Sequence, residues 1–170
     1  MATGSVSVPA LEVRVKPPSI PASFTPPIPL SVQVTVANNA ESPVTLLNWG
    51  SILDPKAGIL GVFEIRDADT DEVVALDSIK FARQLPPPLN DFLQVPAGET
   101  IDTEIKVPLV PLGEGKRYTI QAKGRWQAVW EKKLEDIPGD DLARLTGAER
   151  GEFLSNVVPI NVEDTPSDLK

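Results

Sequence analysis

Tyr118-Thr119-Ile120-Gln121-Ala122-Lys123-Gly124-Arg125-Trp126-Gln127-Ala128-Val129-Trp130 decides the fold. Its apolar residues recur at every second position: Tyr118, Ile120, Ala122, Gly124, Trp126, Ala128 and Trp130 share one face, against Thr119, Gln121, Lys123, Arg125 and Gln127 on the other. A period of two is that of a β-strand with one face on a core and the other in solvent. The same alternation recurs outward from this segment. Leu11, Val13 and Val15 oppose Glu12, Arg14 and Lys16, and Leu30, Val32, Val34 and Val36 alternate with Ser31, Gln33 and Thr35. Ile101, Thr103, Ile105, Val107 and Leu109 oppose Asp102, Glu104 and Lys106.

Shorter strands are expected at Val44 to Trp49, Leu60 to Arg66, Val73 to Ala75, Ile79 to Arg83, Phe92 to Val95 and Asn156 to Val162, with a hairpin joining the strands on either side of the turn Asn38 to Pro43. The 18 prolines, about twice the average usage, remove backbone donors and oppose long helices. Strand upon strand with turns between them and no alternating helices predicts an all-β fold, an antiparallel immunoglobulin-like β-sandwich of about seven to nine strands. Tyr118, opening its strand after Leu112 to Arg117, fits the tyrosine corner of such sandwiches, and Trp126, in mid-strand, fits the core. One segment, 131–154, breaks the pattern. Asp140 to Leu145 has Leu142 and Leu145 three apart, and Thr146-Gly147-Ala148-Glu149 has the form of a capping box that opens a helical turn, which together predict a long loop with one or two short helices before the last strand. The chain is expected to be a single domain over 1–170, with flexible ends at about 1–8 and 164–170.

Composition narrows function from the other side. The chain has no histidine and no cysteine, which removes the usual general base near neutral pH, the usual zinc and haem ligands, thiol nucleophiles and disulfides. Enzyme function is therefore disfavoured, and no cofactor is expected. A net charge of −8 repels nucleic acid and anionic membranes, so neither is expected as a partner. The first ten residues lack the basic and apolar regions of a secretory leader, no asparagine begins a glycosylation sequon, and there is no cysteine to oxidise. These negatives predict a cytoplasmic, intracellular protein.

Asp67-x-Asp69-x-Asp71 is a weak candidate for a cation, because alternate carboxylates can converge. The calcium-loop pattern fails at Glu72, where glycine is needed, and at Ser78, where glutamate is needed. Trp49 and Trp130 fall at strand ends, where indole can face a partner or a ligand. Leu85-Pro86-Pro87-Pro88-Leu89 could present a stiff extended surface beside Arg83.

Leu30 to Asn38, Pro43-Val44-Thr45-Leu46-Leu47-Asn48-Trp49-Gly50, Gly61 to Ile65 and Val95-Pro96-Ala97-Gly98-Glu99-Thr100-Ile101 together resemble the N-terminal pro-region of fungal deuterolysin-type zinc metalloproteases, over residues 10–130. That family's catalytic domain needs a His-Glu-x-x-His helix, and this chain has no histidine to supply it. The resemblance implies a fungal β-sandwich module related to a segment that keeps a protease latent and helps it fold. The expected function is a non-enzymatic protein-binding module, in its concrete form a protease inhibitor or chaperone-like domain, monomeric or weakly self-associating. The binding candidates are Trp49, Arg83, Pro86, Pro87 and Trp130. The alternative is a small-molecule binder, or an unusual carboxylate enzyme, with a pocket lined by Trp49, Trp130 and acidic side chains.

Overall fold

A computed structural model describes residues 11–76, 78–79 and 83–163. In chain order the strands are β1 (Leu11–Val15), β2 (Ser19–Ile20), β3 (Ile28–Asn38), β4 (Val44–Leu47), β5 (Phe63–Asp67), β6 (Phe92–Val95), β7 (Thr100–Val110), β8 (Tyr118–Trp130), β9 (Glu149–Leu154), β10 (Val158–Pro159) and β11 (Asn161–Val162). Among the described residues one short helix, α1 (Gly139–Arg144), precedes β9, and three-residue 3-10 turns sit at Ala57–Ile59, Leu89–Asp91 and Leu134–Asp136. The fold is an all-β antiparallel sandwich.

One sheet has the order β1-β3-β7. A second is organised by β8, whose thirteen residues pair with β5 and β4 along one edge and with β9 and β10 along the other, β6 continuing beyond β4, and β2 pairs in parallel with β11 as a small third sheet. The alternation read in the sequence becomes alternating burial. Along β3, Leu30, Val32, Val34 and Val36 are 0–1% exposed while Pro29, Ser31 and Gln33 face solvent. On the opposing sheet Ile65, Ile120 and Trp126 fill the same core. Burying aliphatic side chains of this size stabilises by about 1.5–3 kcal/mol each, the main force holding the sheets together.

The turn Asn38 to Pro43 does not close a hairpin. It carries the chain from one sheet to the other, because β4 pairs with β6 and β8. Asn38 fixes the crossing: its side-chain amide donates to the Ser42 and Val95 carbonyls at 3.0 and 2.9 Å, and its Oδ1 accepts from the Ala40 N–H at 2.9 Å. Val73 forms only an isolated bridge, to Arg66. The strand expected at Ile79 to Arg83 lies partly outside the described residues, as do the ends expected to be flexible. The last expected strand is broken into β10 and β11.

The segment 131–154 carries the expected short helix but ends in a strand that was not expected. One short helix falls where Asp140 to Leu145 was expected to be helical, none opens at the expected capping box after Thr146, and Leu145, with φ 58°, ends α1 in the left-handed conformation. Thr146 donates through Oγ1 to Asp141 and through its N–H to the Asp141 carbonyl, so it closes the helix. Glu149 then begins β9, with Gly151 and Phe153 turned to the core and Arg150, Glu152 and Leu154 exposed.

Candidate functional site

The site is built where β4 ends. Asn48 and Trp49 leave the strand and are pinned from one side by the turn Leu89–Asp91: the Asn48 N–H bonds the Asp91 carbonyl, and Trp49 Nε1 donates to Asp91 Oδ2, both at 2.8 Å. Gly50 adopts φ +69°, a conformation that costs a side chain and suits glycine. The chain then coils around Asp54. The backbone N–H groups of Gly50 and Lys56 both bond its carboxylate, at 2.8 and 2.9 Å.

Arg83 completes this arrangement from a segment distant in sequence. Its terminal nitrogens meet the two Asp54 oxygens at 2.5 and 3.0 Å, and its guanidinium lies over the Trp49 ring, 5.5 Å from the centroid. Asp54 has no exposed side-chain surface, whereas Arg83 keeps 25%. Burial pushes the Asp54 carboxyl upward, but the bonds from Arg83, Gly50 and Lys56 and the attraction of Arg83 outweigh it, and the group is held below the usual carboxylate range. The Asp54 bond, reinforced by charge attraction, raises Arg83 in turn.

Above this pair opens a cleft of about 560 Å³. Trp49, Arg83 and Gln127 line it together with Leu60, Leu85 and Leu145, and Ile79 and Leu85 are about half exposed there. Among the described lining residues none carries a carboxylate; the acid beneath is Asp54, paired with Arg83. With Trp49, Leu60, Ile79, Leu85 and Leu145 around it, the cleft can hold an apolar or planar group.

Of the expected binding residues, the structure brings Trp49 and Arg83 together and leaves Trp130 apart. Trp130 is 3% exposed, stacks at a tilt on Phe92 with centroids 5.8 Å apart, and donates through Nε1 to the Thr146 carbonyl at 3.1 Å. It anchors the 131–154 segment in a second small core with Leu47, Ala128 and Ile137. Pro86 is exposed and Pro87 buried, and neither lines the cleft; Leu85 does. Tyr118 behaves as a tyrosine corner, its hydroxyl accepting the Gly113 N–H at 2.8 Å. Trp126 is 1% exposed and packs on Phe153 with centroids 5.0 Å apart.

Asp67, Asp69 and Asp71 do not converge. Asp67 accepts the N–H groups of Asp69 and Thr70, which hold its carboxyl low; Asp69 pairs with Arg117, and Asp71 lies 3.4 Å from Arg66. Among the described residues no three acidic side chains could share an ion. Sequence reasoning missed Asp54, Gln127 and Leu145. Asp54 left one trace, an acid placed just before Pro55 in a turn, a position from which Asp commonly bonds backbone N–H groups.

Residues 19–162 match the immunoglobulin-like domain family. A protein of Arthroderma benhamiae named as an uncharacterized secreted protein is 40% identical over 136 residues, covering 78% of this chain and 69% of its own length. Among solved structures, target SoR45 of the Northeast Structural Genomics Consortium aligns over 93% of this chain and 89% of its own, with TM-score 0.46 and 11% identity. The yjhA protein of Bacillus subtilis aligns over 79% and 76%, with TM-score 0.28 and 15% identity. The secreted relative overturns the cytoplasmic, intracellular expectation. The physical error lay in treating missing cysteines as evidence of a reducing compartment: a chain of 170 residues can bury enough surface to dispense with disulfides wherever it resides. With its matched region spanning the two packed antiparallel sheets, the chain belongs to the immunoglobulin-like domain family.

Proposed function

We propose that this chain is a non-catalytic protein-binding module that meets its partner at the Trp49–Arg83 cleft and along the adjoining segment from Arg83 to Leu89. The observation that carries this reading is the fixed guanidinium. Arg83 is immobilised by Asp54 and Trp49 at the floor of an open cleft, beside Ile79 and Leu85, which are 47% and 50% exposed; Leu89, farther along the same segment, is 64% exposed. A pre-ordered arginine and tryptophan rimmed by aliphatic side chains is the composition of an interface hot spot, and ordering these groups before binding lowers the entropic cost of association.

The resemblance of residues 10–130 to deuterolysin pro-regions supports a protease as the partner. The finer reading is thus an inhibitory or chaperone-like module acting on a fungal metalloprotease.

Two measurements test these levels separately. A matrix carrying this chain, exposed to fungal culture medium, is expected to retain a protein that a matrix carrying L85D/L89D does not; equal retention by both would remove this surface from the reading. A deuterolysin-type protease assayed with increasing amounts of the chain is expected to lose activity. Unchanged activity at a large molar excess would reject protease inhibition while leaving the binding surface to stand on the first result.

A further inference from the structure

The sandwich closes several of its strand edges from within. Asn156 bonds both backbone groups of Val15 on β1, accepting its N–H at 2.8 Å and donating to its carbonyl at 3.1 Å. The backbone at Gly58 packs directly on the Lys106 carbonyl of β7, and Asp102 and Glu104 place like charges farther along that strand. Gln94 of β6 accepts the Leu134 N–H at 2.8 Å, and residues 73–74 pair with β5.

The β9 strand is treated differently. It pairs with β8 on one side, and its register fixes which backbone groups face the other way. The Ser155 N–H bonds the Ala122 carbonyl, so by alternation Phe153 with Gly124 and Gly151 with Trp126 form the hydrogen-bonded pairs. The N–H and C=O groups of Arg150, Glu152 and Leu154 therefore point away from β8. All three residues are exposed, Leu154 by 64%.

We propose that β9 is a self-association edge, on which a second copy of this chain adds its own β9 antiparallel about a two-fold axis through Gly151. Such an interface is isologous, each strand serving as its own complement. Backbone pairing requires outward-facing residues to meet outward-facing residues. A two-fold axis at Arg150 would set two guanidinium groups opposite each other, and one at Glu152 would set two carboxylates opposite. The axis at Gly151 sets Arg150 opposite the partner's Glu152, and Glu152 opposite the partner's Arg150.

The charges are suited to this register. Neither Arg150 nor Glu152 forms a salt bridge among the described residues, although six other such contacts occur. Arg150 is held by its Nε, which donates to the Gln127 carbonyl at 3.1 Å where β8 bulges, and Glu152 lies across from Arg125. At the axis the two glycines form a close non-hydrogen-bonded pair, with Cα atoms about 4.5 Å apart and no side chains to separate them. A contact through one edge strand is small, so the dimer is weak and reversible.

Sedimentation equilibrium on the full chain, from micromolar concentration to about 1 mM, tests the proposal. The apparent mass is expected to rise from 18.3 kDa toward twice that value. E152R should weaken association about tenfold or more by setting like charges opposite each other, R150E should act in the same direction, and R150E/E152R should restore association. Because R150E also removes the bond to Gln127, circular dichroism and melting temperature must show each variant folded. E152R leaves that bond in place and decides alone if R150E unfolds. A wild-type chain still monomeric at about 1 mM, or an E152R dimer as tight as wild type, overturns the proposal.

Discussion

Arg83 grips the carboxylate of Asp54 with both terminal nitrogens, at 2.5 and 3.0 Å, and no solvent reaches that carboxylate. The pair joins the coil after β4 to a segment arriving from beyond residue 82, so one contact both shapes the cleft floor and fastens its rim. Removing the cation strands a buried charge, which costs more than removing both partners. R83M should therefore lose about 3 kcal/mol in urea denaturation, the lower end for a buried pair because Arg83 is partly exposed, and R83M/D54N should recover part of that loss. Equal losses in the single and double variants would show that the pair is not the source.

Acid should act through the same carboxylate. Asp54 titrates below its ordinary range in the folded chain, so the unfolded chain takes up its proton first as pH falls. Its contribution is complete above the ordinary carboxylate pKa of about 4 and is lost as pH drops through the lowered folded value. Glu64, held low chiefly by its bond from Lys123, and Asp67, held low by the Asp69 N–H, act in the same direction. Melting temperature measured downward from about pH 6 should fall on the acid side, and D54N should fall less steeply without becoming flat.

A steric limit at Gly58 gives a sharper outcome. A Cβ placed there would lie 1.8 Å from the Lys106 carbonyl oxygen, a backbone atom that cannot swing aside. G58A should cost about 3 kcal/mol or more, because the 3-10 turn would have to lift from the edge of β7. G98A is the control: nothing lies within 4 Å of its Cβ, so only its φ of +73° is penalised, at about 1–2 kcal/mol. Thermal denaturation of the two variants separates packing from backbone strain.

The long strands were legible because each carries its own evidence: eleven residues of β3 and thirteen of β8 repeat the period of two many times. Short strands carry too few repeats. The β9 strand, with Gly151 at a core position, resembles a loop until β8 is present to pair with it. Sheet assignment was not local either. Nothing in Asn38 to Pro43 states that the chain changes sheets; that follows from Asn38 reaching the Val95 carbonyl, 57 residues away. For the site, Trp49 and Arg83 stood out by residue type, but their partner Asp54 was one of 24 acids until the fold buried it. Trp130 misled for the converse reason, since a strand end need not be a surface when a later segment covers it.

Asn156 offers the last test, since its carboxamide stands where a neighbouring strand would be. It accepts the Val15 N–H and donates to the Val15 carbonyl, so β1 ends without exposed backbone pairing groups at that residue. Aspartate retains the acceptor and loses the donor; leucine loses both. N156D should therefore keep slow amide exchange at Val15 while destabilising the chain through a carbonyl left facing a carboxylate. N156L should lose protection at Val15 and cost about 2 kcal/mol for the orphaned backbone pair. Because an opened edge invites another strand, N156L should also aggregate at concentrations where N156D stays dispersed. Hydrogen exchange read at Val15, with light scattering on the same samples, checks both effects, and equal protection in the two variants would mean that the edge is sealed by something other than this side chain.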